Sequence, residues 1–134
     1  MASLNNPGVI SLLTEPHYAV ASTVNEDGSI LSVVVWVNLE DGKVAVNSEV
    51  SRRWPANLKR DPRLTVMVYH RDNPFEYVEV EGTVTATTEG ADGHIDRLAK
   101  KYINEDRYPF HQPGDQRISF VLDEDVVRYS PPKS

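Results

Sequence analysis

The 134-residue sequence contains no cysteine. A chain without cysteine cannot form a disulfide framework, a thiolate metal site or a cysteine nucleophile. Small extracellular domains commonly depend on disulfides, so the absence predicts a cytoplasmic protein. Any redox chemistry would have to come from a bound cofactor, because no thiol pair is present to supply it.

Long apolar runs and an excess of positive charge are also missing. The longest apolar run, Val33 to Val37, is far shorter than the roughly 20 residues that a membrane-spanning helix requires. The first residues lack the basic start and apolar core of a secretory signal. The chain carries 14 Lys and Arg against 20 Asp and Glu, for a formal net charge of -6. Binding to a phosphate backbone usually needs a net basic domain, so we expect no membrane span and no nucleic-acid partner.

Alternating apolar and polar residues predict six β-strands within one domain covering residues 1–134. Turn signals separate several of them, such as Asp27-Gly28 and Asp41-Gly42. The predicted strands span His17 to Val24, Ile30 to Val37, Lys43 to Glu49, Leu64 to Tyr69, Phe75 to Thr87 and Ile118 to Leu122.

Three short helices are predicted between these strands. One follows Asn6-Pro7 and ends at Pro16, one begins at Pro55 and stops before Pro62, and one runs from about Asp92 to Tyr102. Six strands and few helices favour a mainly β fold, a small antiparallel barrel with short flanking helices.

Three features of these elements point towards a site. The strand from Ile30 to Val37 is apolar on both faces, so it is either central in the sheet or covered on one face by something such as a planar ligand. Gly82 in the middle of a long strand predicts a bulge of the kind that closes a small barrel. The loop from Ile103 to Arg117 is long enough to act as a lid.

Positive charge is concentrated between Ser51 and Arg63, which hold five of the 14 Lys and Arg residues. Arg52 and Arg53 directly precede a predicted helix start, where exposed backbone amides favour an anion. Guanidinium groups bind phosphate through forked, charge-assisted hydrogen bonds. The segment therefore predicts a phosphate-bearing ligand, with a solvated basic face as the alternative. Trp54 could stack on a flat ring or anchor the helix to the core.

Other kinds of chemistry find little support. The four histidines have no spacing typical of a metal site, so we expect no zinc or iron. No nucleotide-binding glycine loop, nucleophile elbow or serine with acid and base partners is present. Glu79 and Glu81 lie on one strand face and are interpreted as its solvent side, not as a catalytic pair. His111, in the long loop, is interpreted as structural, although it could reach a ligand.

Several segments together resemble a known family, and they span nearly the whole chain. They are Asp27-Gly28-Ser29, Val33-Val34-Val35-Trp36, Val46-Asn47-Ser48, Ser51-Arg52-Arg53, Asn57 to Arg63, Tyr77 to Gly82 and Lys100-Lys101-Tyr102. The combination is similar to the flavin and deazaflavin oxidoreductases related to pyridoxamine 5'-phosphate oxidase. The resemblance implies a split β-barrel that forms a homodimer, with a cofactor in each of two grooves at the interface.

The resemblance also assigns cofactor-binding roles by position. Ser51, Arg52 and Arg53 would meet the cofactor phosphate, and Tyr77 would contact the ring from the long strand. The ring would be lined by Val33, Val34, Val35, Asn47 and Ser48. Trp54 and Asn57, in the matching basic segment, complete the candidate set.

Which cofactor binds is less determined. The chain reaches Ser134 without the C-terminal motif by which pyridoxamine phosphate oxidases hold their substrate, and the segment around Trp54 is closer to the branch that uses the deazaflavin F420. We therefore expect an F420H2-dependent reductase of a small, electron-poor molecule. The alternatives are an FMN-dependent enzyme of the same fold and a carrier or sensor without turnover. An oligonucleotide-binding barrel is disfavoured, since no aromatic platforms follow a basic groove.

Overall fold

The computed structural model describes residues 2–133, and in this range the chain forms three helices and seven strands. The helices are α1 (Pro7–Thr14), α2 (Arg53–Arg60) and α3 (Ala91–Ile103). The strands are β1 (Ala19–Val24), β2 (Ile30–Val35), β3 (Val37–Glu40), β4 (Lys43–Glu49), β5 (Arg63–Tyr69), β6 (Tyr77–Thr87) and β7 (Arg117–Ser130).

The strands form one antiparallel sheet in the order β2-β1-β5-β6-β7-β4-β3. Its two outermost strands, β2 and β3, are consecutive in the chain and are separated by the single residue Trp36. One residue cannot span a flat sheet of this width, so the sheet must curl until its edges meet at Trp36. The topology thus confirms the predicted split-barrel fold, with its interior filled by the apolar core.

The predicted strand from Ile30 to Val37 is divided at Trp36, which accounts for seven strands where six were expected. The expectation that it could be a central strand is wrong, because β2 lies at the edge of the sheet. Its side chains alternate between the core and the outside: Val35 is buried, whereas the Val34 residue is 71% exposed and Ile30 62%. The outer face of β2 is therefore apolar and uncovered within this chain.

The two longest strands, β6 and β7, pair along their whole length. The register shifts between Glu81 and Gly82, which confirms the predicted bulge. A Cβ at Gly82 would collide with the backbone carbonyl of Asp123, so only glycine permits this close approach. The last strand was predicted to end at Leu122, and this is wrong: pairing with β6 carries β7 through exposed acidic residues to Ser130.

The short helices pack against the sheet, α1 and α2 on the apolar core and α3 on β4 and β7. In α1 the side chain of Asn6 accepts hydrogen bonds from the backbone N–H groups of Gly8 (2.9 Å) and Val9 (3.3 Å), as its capping position predicts. At the other end of α1, Nζ of Lys101 donates to the carbonyl oxygen of Leu13 at 2.6 Å. Lys101 thus satisfies one of the carbonyls that a helix end leaves without an internal partner.

The helix α2 begins at Arg53, two residues before the predicted start at Pro55. Proline is tolerated in the first turn of a helix, because the N–H that it lacks would have no partner inside the helix. The helices of the described residues are all too short, or too polar, to cross a membrane.

A candidate ligand cleft

A cleft of about 220 Å³ opens beside β2, β4 and the start of α2. Its walls are largely aromatic and aliphatic, it contains the amide of Asn47, the hydroxyl of Ser48 and two guanidiniums, and no Asp or Glu lines it. The lining residues are Tyr18, Val34, Val35, Trp36, Asn47, Ser48, Arg52, Trp54, Ile95, Tyr108, Phe110 and Arg117. In a protein with a net charge of -6, this cleft is locally positive.

Arg117, the first residue of β7, is the buried cation of the cleft, with only 8% of the residue exposed. Its Nε donates to Oδ1 of Asn47 at 2.9 Å, and its guanidinium carbon lies 5.0 Å from the centre of the Tyr108 ring. Across residues 2–133, no carboxylate oxygen lies within 4.0 Å of its nitrogen atoms. The charge of Arg117 is therefore buried without an acidic partner.

The side chain of Asn47 is held by its neighbours. Its Nδ2 donates to the carbonyl oxygen of Ala91 at 3.0 Å and to Oγ of Ser119 at 3.2 Å, while its Oδ1 accepts from Arg117. Both ends of the amide are thus occupied within the protein. Asn47 acts on the cleft by fixing Arg117.

His94 of α3 extends this hydrogen-bond network behind the cleft. Its Nδ1 lies 2.7 Å from Oγ of Ser119, and its Nε2 lies 2.9 Å from Oδ1 of Asn38. Since an amide oxygen can only accept, Nε2 carries the proton and Nδ1 accepts from the serine hydroxyl. Burial lowers the pKa of His94 to about 4, so the ring is neutral at physiological pH.

Aromatic rings form one wall of the cleft. Trp36 stacks on Tyr102 with 5.4 Å between ring centres, and Tyr108 meets the edge of Trp36 at 6.0 Å. Phe110 packs on Tyr108 at 5.5 Å. The loop that carries Tyr108 is tied to α3, because the backbone N–H of Tyr108 donates to Asp96 Oδ1 at 2.8 Å. The predicted lid loop therefore forms this wall.

The start of α2 brings the second cation. Arg52 lines the cleft at the N-cap of α2, and no side chain caps this helix end. Arg53 lines a second cleft of about 760 Å³ together with Arg60 and the acidic residues Glu26 and Asp27. Across residues 2–133 neither Arg52 nor Arg53 makes a salt bridge. Two exposed guanidiniums thus follow one another at a helix N-terminus, and they line different clefts.

The structure brings six of the eleven predicted site residues to the cleft. They are Val34, Val35, Asn47, Ser48, Arg52 and Trp54. Of these, Trp54 also packs against Phe120, with 5.5 Å between ring centres, and so anchors α2 to the core.

The other five predicted residues lie elsewhere. Val33 is half-buried against the core, and Ser51 donates to the side chain of Glu49. Arg53 and Asn57 line the second cleft, where the amide of Asn57 bonds to Thr23 and Asn25. Tyr77 lies at the start of β6 and does not line the cleft of this chain.

Sequence reasoning missed half of the lining. The missed residues are Tyr18, Trp36, Ile95, Tyr108, Phe110 and Arg117. Aromatic residues in an unusually long loop were a usable signal for Tyr108 and Phe110. Arg117 offered none, because its burial depends on where the loop and β4 meet.

The histidines are less scattered than the sequence suggested. His17 and His70 pack with 4.4 Å between ring centres, and Nε2 of His17 lies 3.2 Å from Oε1 of Glu15. Nδ1 of each ring accepts a backbone N–H, from Arg71 and from Asp72. The neutral rings therefore carry their protons on Nε2, so no imidazole lone pair is directed at a shared metal position.

Comparison with known proteins places this fold and cleft in a family. The sequence profile described as pyridoxamine 5'-phosphate oxidase matches residues 9–129. The chain belongs to this family. Its members bind flavins such as FMN and include oxidoreductases. Among curated proteins, none matches the sequence.

Solved structures agree with the family assignment. An F420 reductase is 25% identical, with a TM-score of 0.76 over 88% of this chain and 94% of its own. A conserved hypothetical protein from Mycobacterium tuberculosis is 16% identical, with a TM-score of 0.75 over 98% and 86%. General stress protein 26 from Bacillus anthracis is 17% identical, with a TM-score of 0.70 over 94% and 93%. At these identities the last two show a shared fold alone.

Proposed function

We propose that this protein is an F420H2-dependent oxidoreductase that reduces an electron-poor small molecule. The observation that carries the proposal is the cleft itself, whose aromatic and aliphatic walls meet Arg52 at the start of α2 and include no carboxylate. Such a cleft suits a flat, anionic cofactor. The likeness to an F420 reductase at 25% identity makes the deazaflavin the first cofactor to test.

The residues present fit a phosphate-bearing cofactor. Arg52 and Arg53 are exposed, lack acidic partners within the described chain and stand at a helix N-terminus without a side-chain cap. In the proposal they bind the phosphate, with Ser51 next to them in the chain. Val34, Val35 and Ser48 would form the surface under the ring.

When bound in its reduced form, F420 supplies a hydride from C5 of its ring to an electron-poor carbon. The side chains of the cleft then need to supply no nucleophile. Trp36, Tyr108 and Phe110 exclude water, and the fixed walls orient the substrate against the ring. The accompanying proton comes from solvent at the mouth of the cleft.

An FMN-dependent enzyme is the second candidate, because members of this family bind FMN. Titration of the purified protein with F420 and with FMN, followed by ring absorbance and fluorescence, separates the two. We expect F420 to bind more tightly. Tight binding of FMN with no binding of F420 would reverse the assignment.

The role of the basic residues is tested by Arg52→Gln combined with Arg53→Gln. A charge-assisted hydrogen bond is worth about 1.5 to 3 kcal/mol, so we expect F420 affinity to fall at least about tenfold. Lys59→Gln is the matched control: it removes a positive charge from the exposed face of the same helix, outside both clefts. Equal affinities in all three proteins would contradict the proposed phosphate site.

Turnover requires a separate measurement. Reduced F420 is mixed with a panel of conjugated enones, quinones and unsaturated acids, and its oxidation is followed by absorbance. We expect at least one acceptor to be reduced. Binding of the reduced cofactor without oxidation by any acceptor would favour the carrier or sensor.

We further propose that two copies of the chain form a homodimer through the outer face of β2. Val34 and Ile30 leave this edge apolar and exposed, and burying such a surface is favourable. Val34 also lines the cleft, so a partner on this face would stand beside the bound ligand.

A further inference from the structure

Arg117 presents its guanidinium to the cleft with no carboxylate oxygen within 4.0 Å among residues 2–133. Moving a guanidinium from water into a site where 8% of the residue is exposed is costly unless a counter-charge or hydrogen-bond acceptors replace the water. Across residues 2–133 the side chain makes one hydrogen bond, from Nε to Asn47. The terminal amino groups, which form the fork that pairs with planar anions, are free to serve a ligand.

No carboxylate among residues 2–133 pairs directly with this charge. Glu49 is opposite Arg117 in the β4–β7 register, but its carboxylate accepts hydrogen bonds from the backbone and hydroxyl of Ser51. Those bonds are the main reason that the pKa of Glu49 lies below its usual range, and Arg117 contributes least to it. Arg52, the other charged residue of the cleft, has the same sign.

The surroundings of Arg117 also constrain the shape of an anion that binds to it. Its guanidinium lies over the Tyr108 ring, which stands edge-on to Trp36. These rings line the same cleft as the aliphatic side chains of Val34 and Val35 in β2, so a ligand at the guanidinium lies among them. A flat, conjugated molecule fits that arrangement better than a branched one.

We propose that Arg117 recognises the carboxylate of a planar, conjugated substrate. Arg117 is thus the specificity-determining residue of the cleft, and Asn47 is the positioning residue that holds its Nε. The inference rests on the proposed function for the role of this molecule as substrate. It adds the chemical class: unsaturated or aromatic carboxylic acids.

The experiment compares trans-cinnamate with cinnamamide, two planar probes of nearly the same shape that differ in charge. Binding to the full-length protein is measured without cofactor, by calorimetry and by quenching of tryptophan fluorescence. We expect the wild type to bind the acid at least about tenfold more tightly than the amide, as one charge-assisted pair requires. Added salt should weaken binding of the acid only.

The variants Arg117→Gln and Arg117→Lys locate that preference. The first should lose the preference for the acid with little change for the amide, and the second should keep part of it. Arg107→Gln is the matched control, since Arg107 is exposed in the same loop and does not line the cleft. It should behave as the wild type does.

Three outcomes would overturn the inference. The first is equal binding of the acid and the amide by the wild type, a result that needs no variant and holds even if Arg117→Gln fails to fold. The second is a preference for the acid that is retained in Arg117→Gln. If Arg117→Gln instead loses affinity for F420 or FMN while the ratio of acid to amide is unchanged, the anion belongs to the cofactor. Because the probes are tested without cofactor, failure of F420 binding is a separate result.

Discussion

At the scale of single residues, the buried surface between α3 and the sheet holds a titratable group that shapes stability. His94 is 2% exposed, and hydrogen bonds to Ser119 and Asn38 hold its neutral ring. Burial lowers its pKa to about 4 from the ordinary value of 6.5. The unfolded chain therefore takes up a proton at this site at a higher pH than the folded chain does.

The free energy of unfolding should consequently fall as the pH drops from about 6.5 towards 4, because only the unfolded state gains the proton in that range. His94→Gln removes the titrating ring. We expect it to cost about 1 to 3 kcal/mol at pH 7, since buried partners lose their hydrogen bonds. The difference between wild type and variant should shrink towards pH 4.

Urea unfolding of both proteins across this pH range measures the effect. The other carboxylates and histidines are shared, so their titration cancels in the difference, whereas Glu40, whose pKa is lowered in part by His94, contributes to it. A difference that stays constant with pH would show that His94 does not titrate as proposed.

At the scale of elements, the close contact between β6 and β7 at Gly82 is the most demanding point of the sheet. A methyl group there has no room, because the Asp123 backbone faces it directly. We expect Gly82→Ala to reduce the free energy of unfolding by at least about 2 kcal/mol, as overpacking against rigid backbone does. Chemical denaturation monitored by circular dichroism gives the value.

Gly93→Ala is the control for that substitution. Gly93 lies inside α3, and the nearest group to an added Cβ is the flexible end of Arg97 at 3.3 Å. Alanine favours a helix over glycine by roughly 0.5 to 1 kcal/mol. The control should thus be neutral or stabilising, and a loss at Gly93 as large as at Gly82 would mean that the bulge has no special role.

The sequence predicted elements well where local pattern decides them. The apolar face of α1, the alternation along β6 and the glycine turn at Gly28 all follow from neighbouring residues. The break at Trp36 and the extension of β7 do not, because each depends on a partner distant in the chain. Trp36 stacks on Tyr102, and the acidic end of β7 is held by β6.

The same contrast between local pattern and distant partners explains which residues of the cleft could be predicted. Val34, Ser48 and Arg52 could be assigned from strand pattern and local charge, and they line the cleft. Tyr108 and Arg117 reach it only because the loop from 104 to 116 folds back along α3 and delivers β7 next to β4. No local pattern encodes that return.

At the scale of the whole molecule, the exposed edge of β2 determines the expected assembly. Replacing Ile30 and Val34 together by Glu places two charges on the proposed interface. We expect the wild type to sediment as a dimer and this variant as a monomer with unchanged secondary structure, because burying unpaired charges opposes association. Analytical ultracentrifugation with circular dichroism provides both readings.

Ile103→Glu is the comparison, since Ile103 is an exposed apolar residue at the end of α3. It should remain dimeric. A monomeric wild type, or a double variant that still dimerises, would rule out the outer face of β2 as the interface.

The single residue between the two outermost strands has a thermodynamic consequence. Trp36 joins β2 and β3, the two outermost strands of the sheet, and is also part of the cleft wall. A ligand that binds only one orientation of this indole stabilises the closed form of the barrel through part of its binding free energy. Occupancy and closure are therefore linked equilibria, and a filled cleft should protect both edges of the sheet from local opening at once.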